Sequence, residues 1–308
     1  MLQYLIILLD NTSASFCHYK NPNTGRRLIP IGTLKQGIRF GMMENLMIQF
    51  VYPDYELPLE YQEVIESIDH SNIKPKREGA DIWVTEKVNS ISSGIPVVLR
   101  TGKNNLFSHE REISEAIGTV SRLNIVLTDV DSFTEEDFTQ YKSLLGKLSN
   151  MLEQLYVDGK TSQLNLLTDR MMLNQMNNCG AGDTTITLAP NGKFYICPAF
   201  YYEDETDSIG DLGHGLDIKN KQLYRLDHAP ICSHCDAWQC KRCIWLNRKT
   251  TLEVNTPSHE QCVLAHLERN ASRELLNNIR KHGTFLPEQE EIKEIDYLDP
   301  FDKRDEWQ

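Results

Sequence analysis

Seven of the eight cysteines in this chain fall between positions 179 and 262, and the eighth, Cys17, stands alone near the start. Cys179 and Cys197 flank Gly192, the knot "CSHCDAWQCKRC" carries Cys232, Cys235, Cys240 and Cys243, and Cys262 follows. A C-x2-C pair sets two sulfurs on one tight turn, close enough to grip a single metal or cluster, and thiolates select soft metals. Zinc ribbons usually leave ~15–20 residues between their two C-x2-C pairs; here four intervene. One zinc on the four knot thiolates is one reading, but it leaves Cys179, Cys197 and Cys262 unused. Iron–sulfur ligation uses all seven, as four plus three, because cluster proteins interleave ligands between neighbouring clusters. The three-thiolate site then has an open position or borrows a ligand, with His234, Asn178 or a bound peptide thiolate as candidates.

The layout of these cysteines resembles the SPASM domain of radical-SAM peptide maturases, which carries two auxiliary 4Fe–4S clusters. The knot is one residue shorter than the family's usual pattern in each of its last two gaps. The phrases "NLLTDRMM", "MNNCGAG", "TLAPNGKFYICPAFYY", "APICSHCDAWQCKRCIWLNRK" and "LEVNTPSHEQCVLAHLERNASR" are similar to a narrower group, the CXXX repeat peptide maturases, found in cassettes that modify ribosomally made peptides with repeated cysteines. The resemblance implies that Cys232, Cys235, Cys240 and Cys262 hold one cluster, and that Cys179, Cys197 and Cys243 hold the other.

Radical-SAM enzymes place Cys-x3-Cys-x-aromatic-Cys in the loop after their first strand. Laid on "SASFCHYK", that spacing puts Ser13 at the first cysteine, Cys17 at the second, Tyr19 at the aromatic and Lys20 at the third. A serine hydroxyl is a poor soft-metal ligand and a lysine ammonium offers no lone pair. One thiolate does not retain a cluster, and no Gly-Gly-Glu-like segment follows the second strand, where "PDYELP" stands. The expectation is therefore no S-adenosylmethionine cleavage. Cys17 is then a remnant of that site, an ordinary buried cysteine, or a thiol whose pKa Lys20 and His18 lower enough to act on a peptide.

The elements that must position these residues alternate over the first half. "YLIILL" (4–9), "LMIQFVY" (46–52), "ADIWVT" (80–85), "IPVVL" (95–99), "LNIVL" (123–127) and 164–167 read as strands. Helices are expected over 33–44, despite Gly37 and Gly41, over 59–68, over 108–119 with Ser108 as N-cap, and over 134–156. About six βα units imply an α/β fold, a partial TIM-like barrel or an open parallel sheet, with function on the loops after the strands. From 176 to 283 the rhythm changes to a cysteine-rich, SPASM-like domain. It holds a hairpin around Asn191-Gly192 and a last helix from a Ser258/Gln261 capping box to Gly283. Residues 1–175 form the degenerate radical-SAM-like domain, and 284–308 are an acidic, loosely ordered tail.

Composition bounds the rest. A net charge of −12 argues against a phosphate-backbone partner, which needs clustered Lys and Arg. No segment reaches the ~20 apolar residues that span a bilayer, and the start lacks a signal-peptide pattern, so a cytoplasmic protein without membrane or nucleic-acid partners is expected. Three functions follow. The first is a SPASM iron–sulfur protein that binds a cysteine-repeat precursor peptide and presents it to a partner radical-SAM enzyme. The second is a redox or thiol enzyme working through the three-cysteine cluster or Cys17. The third is a zinc-stabilised peptide-binding module.

Overall fold

The computed structural model describes residues 1–91 and 94–292. Among them, nine strands form one open sheet in the order β7-β6-β5-β4-β3-β2-β1-β8-β9. The strands are β1 Tyr4–Leu8, β2 Met47–Val51, β3 Ser71–Lys74, β4 Ile82–Thr85, β5 Val97–Thr101, β6 Arg122–Leu127, β7 Gln163–Leu164, β8 Thr185–Leu188 and β9 Phe194–Tyr195. Every pairing is parallel except β8 with β9. This is the parallel α/β sheet expected from the alternation, which leaves a partial barrel and an open sheet both open. The central strands are near-continuous apolar runs because helices cover them; all five residues of β5 are buried.

The helices are α1 Ile31–Met43, α2 Leu59–Glu66, α3 Lys103–Ser108, α4 Glu110–Ile117, α5 Glu135–Val157, α6 Thr168–Met172, α7 Pro198–Glu203, α8 Ile244–Thr251 and α9 His259–His282. Helix α1 tolerates Gly37 and Gly41 because it lies flush on the sheet. A Cβ on Gly41 would stand 2.8 Å from Ile48 Cδ1 and 3.2 Å from Leu5 Cδ2. Thr134 caps α5 in a reciprocal box with Asp137. Tyr141, Leu144, Leu145, Leu148 and Leu152 form its buried stripe, at the spacing of one helical face.

Several expectations need correction. Strand β3 escaped the pattern because only Ile73 of its four residues is buried. Ser108 does not cap a helix: it ends α3, and α4 restarts after His109. The segment 164–167 is strand only at Leu164; Thr168 Oγ1, bonded to Leu164 N and O, turns the chain into α6. The hairpin after β8 closes on the Ala189–Lys193 pair, a three-residue loop with Gly192 at φ +77°, where a left-handed residue completes a type I turn. Ser258 accepts from Gln261 N, but the Gln261 side chain donates to Asn247 Oδ1 instead of closing the box.

The cysteine-rich segment shares the sheet and the cores of the first half. β8 adds directly to β1, and α9 contributes Leu264, Leu275, Leu276 and Ile279 to the core under α5. The beginning of the expected acidic tail also packs: Arg280 Nη2 donates to Leu286 O and Gln289 O, and Ile292 is buried. The rest of that tail, 293–308, lies outside the described residues. Among the described residues, no helix is long and apolar enough to cross a membrane.

Candidate functional site: two groups of thiols

The knot begins as a turn of 3-10 helix, Cys232–His234, and wraps against α9. Gln239 Nε2 donates 2.7 Å to Ala265 O. Arg170 Nε donates to Asp236 O, and Arg269 Nε donates to the Asp236 carboxylate. These contacts leave a pocket lined by Cys232, Cys235, Cys240 and Cys262, with Arg242 and His266 beside them. Cys262 lies in the first turn of α9, where the helix dipole favours an anionic sulfur. Two backbone N–H groups point at sulfur, Ala237 N at Cys235 Sγ and Arg242 N at Cys240 Sγ, each at 3.4 Å. Arg242 bends through φ +42° to do so.

Burial sets the electrostatics of this pocket. It pushes the Cys232 thiol up to about 11, with Arg242 pulling it down, and Cys240 up to about 12, with the Arg242 N–H pulling it down. The Arg242 guanidinium is itself buried, donates to Tyr224 O, and leaves its Nε without a hydrogen bond. A buried cation with an unsatisfied donor beside four soft thiols suits an anionic metal–sulfur group.

The other three thiols lie on three separate segments. Cys197 is the N-cap of α7 and Cys243 the N-cap of α8, while the exposed Cys179 precedes the turn at Gly180. Cys179 raises both Cys197 and Cys243, and burial raises them more; the N–H groups of Ala199 and Phe200 oppose this at Cys197, and that of Leu246 at Cys243. The pocket lined by Cys232, Cys235, Cys240 and Cys262 does not include Cys179, Cys197 or Cys243.

Cys17 lies in the loop after β1, its carbonyl held by Arg100 Nε. Burial, then Cys179, push its thiol up to about 12, while Arg100 and Lys241 oppose them. The expected activation by His18 and Lys20 is not what the structure has. His18 is itself shifted down by burial, its Nδ1 lies 2.7 Å from Leu127 O, and Lys20 is exposed. Ser13 is buried and occupied: its hydroxyl donates to Val51 O and accepts from Asp10 N. Tyr19 is buried, packs on Tyr202, and its hydroxyl finds no hydrogen-bond partner of normal geometry.

The other nominated groups separate clearly. His234 is exposed, and Asn178 Oδ1 accepts from Gly180 N in a local turn. Arg248 and Lys249, beside the knot, turn away to carboxylates of Glu203, Asp207 and Asp131. Asp10 accepts from Thr12 and Tyr55, and Asp129 caps α3. Two groups were missed. His266 Nε2 stands 3.5 Å from Cys235 Sγ; its place one helical turn after Cys262 was the available signal. Arg100, buried in β5, gave no signal, since a lone arginine in an apolar strand reads as an edge residue. Among the described residues, no three His, Cys, Asp or Glu side chains converge tightly enough to hold a single metal ion.

Comparison with solved structures gives the fold its relatives. A structure of polyhistidine-tagged anSMEcpe with bound AdoMet aligns over 90% of this chain and 96% of that chain, with a TM-score of 0.60 at 12% identity. Native anSMEcpe with bound AdoMet and the Cp18Cys peptide aligns over 91% and 99%, again at 0.60 and 12%. The chain thus has the radical-SAM-like partial-barrel fold of these structures. No protein-family model and no curated protein matches the chain.

Proposed function

We propose that this protein takes part in the maturation of a ribosomally made cysteine-repeat peptide as an iron–sulfur protein of the SPASM type. It binds the precursor, presents it to a partner enzyme, and does not cleave S-adenosylmethionine. The observation that carries this reading is the segregation of the thiols. Cys232, Cys235, Cys240 and Cys262 line one pocket, and Cys179, Cys197 and Cys243 are not part of its lining. The donor set is all soft sulfur, and the buried Arg242 Nε beside the pocket is left without a hydrogen bond. The two groups would hold two 4Fe–4S clusters, which store and pass single electrons when bound.

The peptide partner is supported by the neighbour with bound Cp18Cys peptide, which has the same fold. The absence of S-adenosylmethionine cleavage rests on Ser13 and Lys20 standing where two thiolates would be needed. The Ser13 hydroxyl is already committed to backbone partners. What the chain's own residues do there is structural: Arg100, His18 and Ser13 fix the 10–20 loop. The thiol-exchange alternative through Cys17 loses support, because a thiol raised to about 12 carries little thiolate at neutral pH. Mass spectrometry of the precursor, co-expressed with and without this protein, tests the reading. A mass change that requires this protein and a partner enzyme is expected. 5′-Deoxyadenosine released by this protein alone with dithionite would overturn the non-cleaving part.

A further inference from the structure

Arg100, Arg170, Arg242 and Arg269 are the buried arginines among the described residues. Arg100 pairs with Glu86, and Arg170 and Arg269 both pair with Asp236. Each of those three also gives its Nε–H to an oxygen: that of Cys17 O, Asp236 O or the Asp236 carboxylate. Arg242 does neither. Among the described residues it has no carboxylate partner, and its Nε has no hydrogen bond. A guanidinium stays charged at any pH the fold survives. This one is therefore a buried cation without its anion, a strongly unfavourable state unless an anion comes to it.

The same residue is fixed on the four-thiol pocket. Arg242 lines it together with Cys232, Cys235, Cys240, Cys262 and His266. Its backbone N–H points at Cys240 Sγ at 3.4 Å, from a backbone bent to φ +42°, a conformation few residues other than glycine adopt. The far end of its side chain is anchored. Nη2 donates to Tyr224 O, and Nη1 donates 3.5 Å to Arg225 O. Tyr224 is itself set against Gly182, where an added Cβ would stand 2.7 Å from the ring. With both terminal nitrogens on carbonyls, Nε is the donor left over. A tie that served only to hold the 224–225 turn would need neutral donors, not a buried charge beside four thiols.

We propose that Arg242 is the counter-ion of the metal–sulfur group held by Cys232, Cys235, Cys240 and Cys262: its guanidinium offsets the group's negative charge, and its Nε–H donates to one of the group's sulfur atoms. Reduction adds an electron to an already anionic group, so buried positive charge and a donor to sulfur favour the reduced form. Arg242 thereby raises the reduction potential of this site. The inference rests on the two-cluster reading above and concerns the four-thiol pocket alone.

The test uses the full chain, reconstituted anaerobically with iron and sulfide, as wild type, Arg242→Met and Arg242→Lys. Methionine removes the charge and the donor; lysine keeps the charge and loses the Nε–H. The four thiols and the backbone N–H groups of residues 237 and 242 remain in both, so both variants are expected to keep the wild-type iron. In a dithionite titration read by electron paramagnetic resonance, one of the two reduction steps should move in Arg242→Met and the other stay. At the wild-type midpoint, its reduced-to-oxidised ratio should be at least tenfold lower, a shift of about 59 mV for one electron. Arg242→Lys should fall between. A second readout needs no variant. Wild type made with arginine carrying heavy nitrogen only in its guanidinium group should show a coupling to that nitrogen in the pulsed spectrum of the reduced protein. Wild type free of iron would sink the two-cluster reading and this inference together. Iron-loaded wild type without the nitrogen coupling would overturn the counter-ion assignment alone, whether or not the variants fold. Iron-loaded Arg242→Met with neither midpoint lowered would overturn it as well.

Discussion

Arg100 Nε donates 2.9 Å to the carbonyl of Cys17, binding the middle of the sheet to a loop 83 residues earlier in the chain. The same guanidinium reaches Tyr19 O and pairs with Glu86. Hydrogen bonds from a charged group each contribute roughly 1.5–3 kcal/mol, and a buried partner left without its donor costs as much again.

Arg100→Ala is therefore expected to lower stability by about 2–4 kcal/mol and to loosen the 16–20 segment selectively. Urea unfolding reads the first effect, and amide exchange of Tyr19 and its neighbours reads the second. Unchanged exchange in that segment would remove Arg100 from its role as a clamp.

Gly41→Ala separates helix propensity from packing. An exposed helix site would gain ~1 kcal/mol from the exchange. Here the added methyl meets Ile48 and Leu5 at 2.8–3.2 Å, and overpacking of this kind costs about 1–3 kcal/mol. A net fall in the urea midpoint is expected; a rise would show that α1 can lift from the sheet.

Those glycines also mark what was legible in the sequence. The helix 33–44 could be read through Gly37 and Gly41 because its apolar spacing survives them. The reason for the glycines, contact with Ile48 and Leu188, depends on which strands lie beneath. The parallel alternation and the long helix under Thr134 were legible because their periodicity is strong. Strand β3 was not, since its single buried Ile73 leaves no alternation to see. Spacing alone grouped Cys232, Cys235 and Cys240, but it put Cys243 with them where the pocket takes Cys262; that exchange was implied only by the family resemblance. The addition of β8 to β1 was not legible either, because a long-range pairing has no local signature.

Glu268 offers a pH signature. It is partly buried on α9, accepts from Tyr141 Oη at 2.8 Å and from Gln239 Nε2 at 3.4 Å. Burial, with Asp169 adding to it, raises its carboxyl to about 7, against those two hydrogen bonds and Lys241. Because the folded pKa lies above the unfolded value near ~4.3, the fold binds the extra proton. Its stabilisation is complete below about pH 4 and is lost as pH rises through about 7. Glu268→Gln, neutral throughout, is expected to flatten stability between about pH 5 and 8 and to gain on the order of 1–2 kcal/mol at the upper end. Melting curves of the two proteins that stay parallel across that range would contradict it.

Iron, acid-labile sulfide and zinc per chain, measured on protein made with ample iron and purified without oxygen, test the iron–sulfur reading most directly. Two cysteine-bound 4Fe–4S clusters require about eight irons and as many sulfides, with a brown chromophore and negligible zinc. Stoichiometric zinc in a colourless, iron-free protein would contradict it.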